Sequence, residues 1–85
     1  DNFGKYINSG ILNKAFYLVS IAIGTDQAVK VWHYALKYFW EESNLNDLAD
    51  IVYLSSDILM KNGKVPTDTT TAVRSAFKDV GLFIS

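Results

Sequence analysis

The stretch Ala15-Phe16-Tyr17-Leu18-Val19-Ser20-Ile21-Ala22-Ile23 constrains the fold more than any other part of this chain. Read as a helix it is apolar nearly all round, and such a helix is stable only when neighbours cover most of its sides. It is too short to span a bilayer, which needs about 20 apolar residues, and Ser20 interrupts it. It also lacks the basic flank and N-terminal position of a signal peptide. The chain must therefore supply other helices to wrap it. With 85 residues there is room for one small domain and not two.

Punctuation divides the rest. The first eight residues carry turn formers and no helical period, and read as an extended loop. A first helix is expected over about 9–23, with Asn8 or Ser9 as N-cap and Gly24 as its stop. Thr25 is a good cap for a second helix over about 26–40. Its polar residues Asp26, Lys30, His33, Lys37 and Glu41 fall three or four apart as a solvent stripe, and Val29, Val31, Trp32, Ala35, Leu36, Phe39 and Trp40 are expected to pack. Asp26 and Lys30 have the favourable order for an ion pair. After a connection over 41–45, Asn46 is the expected cap of a third helix over about 47–61. Leu48, Ile51, Val52, Ile58 and Leu59 form its inner face, Asp47, Asp50, Asp57 and Lys61 its outer one, and Asn62-Gly63 its end. Pro66 and Thr67 open a fourth helix over about 67–80, with Ala72, Val73, Ala76, Phe77 and Val80 inside. Gly81 closes it, and Leu82-Phe83-Ile84 is an apolar tail expected to fold back. No strand alternation and no internal repeat appear. The expectation is an all-α, four-helix compact bundle occupying residues 1–85 as a single domain.

Charge and composition then narrow the partners. The net charge is −1 and the eight basic residues are scattered, which leaves no stripe to hold a phosphate backbone; nucleic acid is not an expected partner. Cysteine is absent, so disulfides and thiolate metal sites are excluded. Hydrophobic residues make up 49% of the chain and aromatics 14%, more than a domain this small can bury within itself. One or more apolar faces should pack against something outside these residues.

The opening stretch, Asp1-Asn2-Phe3-Gly4-Lys5-Tyr6-Ile7-Asn8-Ser9-Gly10-Ile11-Leu12-Asn13-Lys14-Ala15-Phe16-Tyr17-Leu18, closely resembles a signature of the thermolysin-like zinc metallopeptidases. Their pattern is Asp-Asn-Gly-Gly-x-His, then x-Asn-Ser-Gly-Ile-x-Asn-Lys-Ala-x-Tyr-Leu. At the other end, Ala76-Phe77-Lys78-Asp79-Val80-Gly81 is similar to the family's final Ala-Phe-x-x-Val-Gly. The resemblance implies the helical C-terminal domain of a secreted neutral metalloendopeptidase that cleaves on the N-terminal side of large apolar residues. It implies zinc, and in many members calcium, in the complete enzyme. The zinc-binding N-terminal part and a peptide or protein substrate are the implied partners. In the family a His-Glu-x-x-His helix and a later glutamate hold the zinc, upstream of the point where this sequence begins. These 85 residues contain one histidine, His33, so no zinc site is expected within them, and they should be inactive alone.

What the resemblance carries over is the loop. The family's histidine there donates to the developing oxyanion, and the aspartate at the loop's start orients it. Asp1 matches the aspartate, Tyr6 stands at the histidine position, and Asn2 and Phe3 are expected along the substrate cleft, with Phe3 replacing a glycine. Tyr6 admits three readings: a phenol donor in place of the imidazole, the mark of decayed catalysis, or a ring packed under the loop. The alternative for the whole chain is a non-catalytic helical homologue that binds a protein or peptide. His33 reads as a solvated surface residue. Asp47, Asp50 and Asp57 form a stripe rather than the converging oxygens that calcium needs. Trp32 and Phe39 read as core; Trp40 and Tyr34 are candidates for an interface.

Overall fold

A computed structural model describes residues 10–40 and 43–84. Four helices follow in order: α1 Gly10–Ile23, α2 Thr25–Leu36, α3 Leu45–Lys61 and α4 Thr69–Asp79. Each packs against its sequence neighbour, and α4 returns against α1, so the four close a ring with α1 diagonal to α3. Among the described residues there is no strand, and no helix is long and apolar enough to cross a membrane. The fold is all-α.

Short connections dictate the directions. Lys30 Nζ in the first half of α2 donates to the Lys64 carbonyl just past α3, at 3.3 Å, so α2 and α3 run antiparallel. Thr70 at the start of α4 reaches Met60 Sδ at the end of α3, at 3.8 Å, and sets the same relation there. Between α1 and α2 there is only Gly24. Its N–H donates to the Ser20 carbonyl at 2.8 Å, and its own carbonyl accepts from Ala28 at 3.1 Å. One residue thus ends one helix and begins the next, at a φ of +96° that glycine adopts at little cost. Gly24, not Thr25, occupies the N-cap position, and Thr25 is the first helical residue.

The other boundaries moved for local reasons. α3 starts two residues earlier than Asn46 implied. Asn44 is its cap: Oδ1 accepts from Asp47 N at 2.8 Å, and Asp47 Oδ2 accepts from Asn44 N at 3.1 Å. The reciprocal pair satisfies two backbone donors at once, which a cap at Asn46 would not have done. α2 ends at Leu36 rather than Trp40, with tighter i to i−3 bonds at Lys37, Tyr38 and Phe39 unwinding its last turn. α4 starts at Thr69, because Pro66–Thr69 forms a turn closed by Thr69 N to the Pro66 carbonyl at 3.1 Å. Its end is a Schellman motif: Gly81 N bonds the Lys78 carbonyl at 3.0 Å and Leu82 N the Phe77 carbonyl at 2.8 Å. The expected loop over the first eight residues, the Asn8 or Ser9 cap and the Glu41-Glu42 connection lie outside the described residues.

The core draws on all four helices: Ala15 and Val19 from α1, Val31 and Ala35 from α2, Leu48 and Val52 from α3, and Val73 and Phe77 from α4. Packed against it, Trp32 meets Phe16 edge to face, ring centres 5.3 Å apart at 86°, and stacks on the buried Phe77 at 6.0 Å. Such pairs contribute about 0.5–1.5 kcal/mol beyond their buried area. Small side chains let the helices close in. Ser55 and Ser56 are buried on the inner face of α3, and each returns its hydroxyl proton to a carbonyl one turn back, on Ile51 and Tyr53. Of the tail, Leu82 and Ile84 pack against the core and Phe83 points to solvent. Arg74 anchors it, with Nη1 donating to the Ile84 carbonyl at 3.2 Å and the guanidinium 4.6 Å from the centre of the Tyr53 ring.

Candidate functional site

The loop residues Asp1, Asn2, Phe3 and Tyr6 lie outside the described residues. What the described residues display is apolar surface in two places. On α1, which the loop enters, Ile11, Tyr17 and Ile21 are exposed, the last two at 60% and 65%. The bundle therefore leaves one side of that helix uncovered, although its sequence is apolar nearly all round.

The second surface lies between α2 and α3. Tyr34 and Tyr38 form one lip, and Ile51, Leu54 and Ile58 the other, of an open groove of about 280 Å³ floored by Ser55. Tyr38, Leu54 and Ile58 expose 53%, 59% and 42% of their surface. Ile58 is the clearest correction to the sequence reading, which put it inside. The inner face of α3 runs Leu48, Ala49, Val52, Ser55 and Ser56, and Ile51, Leu54 and Ile58 form a second stripe at i, i+3 and i+7 beside it. The two serines carried the inner face through positions that hydrophobicity alone does not mark. Val29, Leu36 and Trp40, expected to pack, are likewise exposed, because the bundle takes the narrower stripe Ala28, Val31 and Ala35 of α2.

The titratable groups are committed locally. Tyr34 and Tyr38 have ring centres 5.5 Å apart, and the Tyr34 phenol is pushed above its ordinary value by its hydrogen bond to Tyr38, then by burial and the Tyr38 charge. Lys37 Nζ lies 5.0 Å from the Tyr34 ring centre. Asp47 is held in the Asn44 cap, and Asp57 pairs with Lys61 at 2.9 Å, raising the Lys61 ammonium. Lys30 reaches Lys64 and Gln27 and leaves the expected pair with Asp26 unformed, since a carbonyl across the helix boundary is within its reach. His33 is exposed on the polar stripe of α2. Among the described residues no three His, Cys, Asp or Glu side chains are grouped to hold a metal ion. With one histidine in the chain, the described residues do not fit a zinc ion.

The bundle is small and all-α, with apolar outer faces and, among its described residues, no metal-holding group. The chain belongs to the family described as thermolysin metallopeptidase, alpha-helical domain, which matches residues 1–82. It is similar to bacillolysin of Bacillus caldolyticus, and to thermolysins of Alicyclobacillus acidocaldarius subsp. acidocaldarius and of Bacillus sp. strain EA1. Each is 33% identical over 95 residues, covering 98% of this chain. The chain spans 17% of the length of these relatives. No solved structure matches it.

Proposed function

We propose that these residues are the C-terminal helical domain of a secreted thermolysin-like metalloendopeptidase, forming one wall of the substrate cleft and presenting Asp1 and Tyr6 to it. The family match over residues 1–82 carries this reading, because it takes in the loop as well as all four helices. The apolar face of α1 supports it: Tyr17 and Ile21, on the helix that comes next in sequence after the loop, offer a surface for the zinc-binding part to cover. Zinc is supplied by that other part, and calcium, where present, belongs with it. In this division of labour Tyr6 donates its phenolic proton to the oxygen on which negative charge develops, and Asp1 fixes the direction of that donor. Phe3 and Asn2 line the cleft and bias it toward apolar side chains of a peptide.

The test is peptide hydrolysis by the complete protein with Tyr6 varied. Tyr6→Phe keeps the ring and removes the donor. It should lower kcat by about 10²–10³ with little change in KM, the loss expected of one oxyanion donor. Tyr6→His should restore turnover and add a pH limb near the ordinary imidazole value of about 6.5. An unchanged kcat in Tyr6→Phe removes Tyr6 from the chemistry. A zinc-loaded wild-type protein that hydrolyses no peptide sinks the enzymatic reading altogether. A second reading then stands: a non-catalytic homologue that binds a protein or peptide. It is favoured by Tyr6 at the histidine position and by the open groove between α2 and α3.

A further inference from the structure

We infer that Asn62-Gly63, the turn that ends α3, is a site of spontaneous covalent modification in which the Asn62 carboxamide becomes a carboxylate. The step needs no enzyme, oxidant or reductant. The backbone nitrogen of Gly63 attacks Asn62 Cγ, its proton passes to solvent, and the carboxamide nitrogen leaves as ammonia. A water molecule then opens the resulting cyclic succinimide at either of its carbonyls. Opening at one gives aspartate. Opening at the other gives isoaspartate, with the main chain rerouted through the side chain. Glycine leaves the attacking nitrogen unshielded because it carries no Cβ, and this is the only Asn-Gly pair in the sequence.

The fold leaves the pair accessible and restrains it lightly. Asn62 and Gly63 are both exposed, and no atom lies within 4 Å of where a Cβ on Gly63 would stand. Ring closure requires a large rotation of Asn62 ψ away from its 5°. It also requires the Gly63 N–H to leave the Met60 carbonyl, at 3.0 Å, and loosens the bond from Lys64 N–H to the Leu59 carbonyl, at 2.9 Å. Both bonds belong to the last turn of α3, where local opening costs little. Lys64 follows the pair, and Lys30 Nζ donates to its carbonyl at 3.3 Å. Positive charge so close favours the ionised amide that attacks. Fraying of one turn therefore admits the reaction, and the bundle need not unfold. Conversion then changes the corner in which it happens. A carboxylate at position 62 stands at the negative end of the α3 dipole. Isoaspartate lengthens the main chain by a methylene, so Gly63 and Lys64 no longer both reach Met60 and Leu59, and the Lys64 carbonyl shifts from Lys30. The turn leading into α4 loosens while the core keeps its contacts.

Mass spectrometry of the natural gene product that carries these residues tests this, after incubation of the folded protein in mildly alkaline heavy-oxygen water and digestion in acid. The peptide containing residue 62 should gain a labelled carboxyl at least about tenfold faster than those containing Asn13, inside α1, or Asn44, held in its cap. Aspartate and isoaspartate should both form there, and Asn62→Gln should leave position 62 unmodified. Asn62→Asp supplies the charge without the longer backbone, so amide hydrogen exchange at Gly63 and Lys64 should be faster in the aged wild type than in this variant. An Asn62 that stays intact while Asn13 or Asn44 converts overturns the inference. Aspartate formed without isoaspartate refutes the ring, and exchange at Gly63 and Lys64 unchanged by ageing refutes the loosening. None of these readouts depends on peptide hydrolysis, so their failure is distinct from that of the Tyr6 experiment.

Discussion

Replacing Phe77 by alanine should come close to unfolding this domain. Phe77 is fully buried on α4, stacks on Trp32 at 6.0 Å, and through Trp32 is coupled to the edge of Phe16. Truncating a buried phenylalanine costs about 3–5 kcal/mol, as lost transfer energy plus the cavity left behind. Here the upper half of that range is expected, because the stack with Trp32 is lost as well. A chain of 85 residues has a total stability of about 4–13 kcal/mol at 0.05–0.15 kcal/mol per residue. The substitution therefore removes a third of the stability at best and all of it at worst. In Tm, at about 4–8 °C per kcal/mol for a domain this size, the fall is at least about 16 °C. Phe83→Ala is the matched control, since the same ring removed from a side chain 72% exposed should change stability by no more than about 0.5 kcal/mol. Urea unfolding followed by tryptophan fluorescence reports on both, with Trp32 in the affected stack. A Phe77→Ala loss below about 1.5 kcal/mol, or a Phe83→Ala loss of equal size, would refute the placement of the core.

Asn44→Ala should destabilise the bundle by about 1 kcal/mol, and Asp47→Ala by a similar amount; because each side chain caps the other's backbone, the double variant should cost less than their sum in a double-mutant cycle. Lys61 is held above its ordinary value of 10.5, first by its hydrogen bond to Asp57 and then by that charge, so its contribution is complete below 10.5 and lost as pH rises through the folded value. Melting curves of wild type and Lys61→Met should differ at neutral pH and converge as pH rises past the folded value, and a gap that widens with pH would contradict the assignment.

Much of this architecture could be read from the residues because its causes are local. The glycines fix where helices stop: Asn62-Gly63 and Gly81 each end a helix in a positive-φ turn with both Schellman bonds made. The inner face of α4 was legible from the spacing of Val73, Ala76 and Phe77. Starts were harder. Asn44 and Asn46 are both good caps by type, and only Asp47, three residues after Asn44, distinguishes them by returning a bond to the cap backbone. The loop carrying Asp1 and Tyr6 was recognised by its run of residues, not by any physical period, and lies outside the described structure.

The misplaced residues point the same way as the function. Ile58 was assigned to the core because hydrophobicity was taken to mean inside, whereas Ile51 does pack against it. The chain instead put Ser55 and Ser56 inside α3 and kept Leu54 and Ile58 for the surface. Burying those serines is cheap, since each hydroxyl bonds a carbonyl of its own helix and allows close approach. Leaving Leu54 and Ile58 in water is not, at roughly 25 cal/mol per Å² of apolar surface. A bundle whose core serines are satisfied gains nothing from exposing leucine and isoleucine on the neighbouring stripe of the same helix. The exposed stripe is therefore explained only when something covers it. The face of α1 has a candidate in the zinc-binding part.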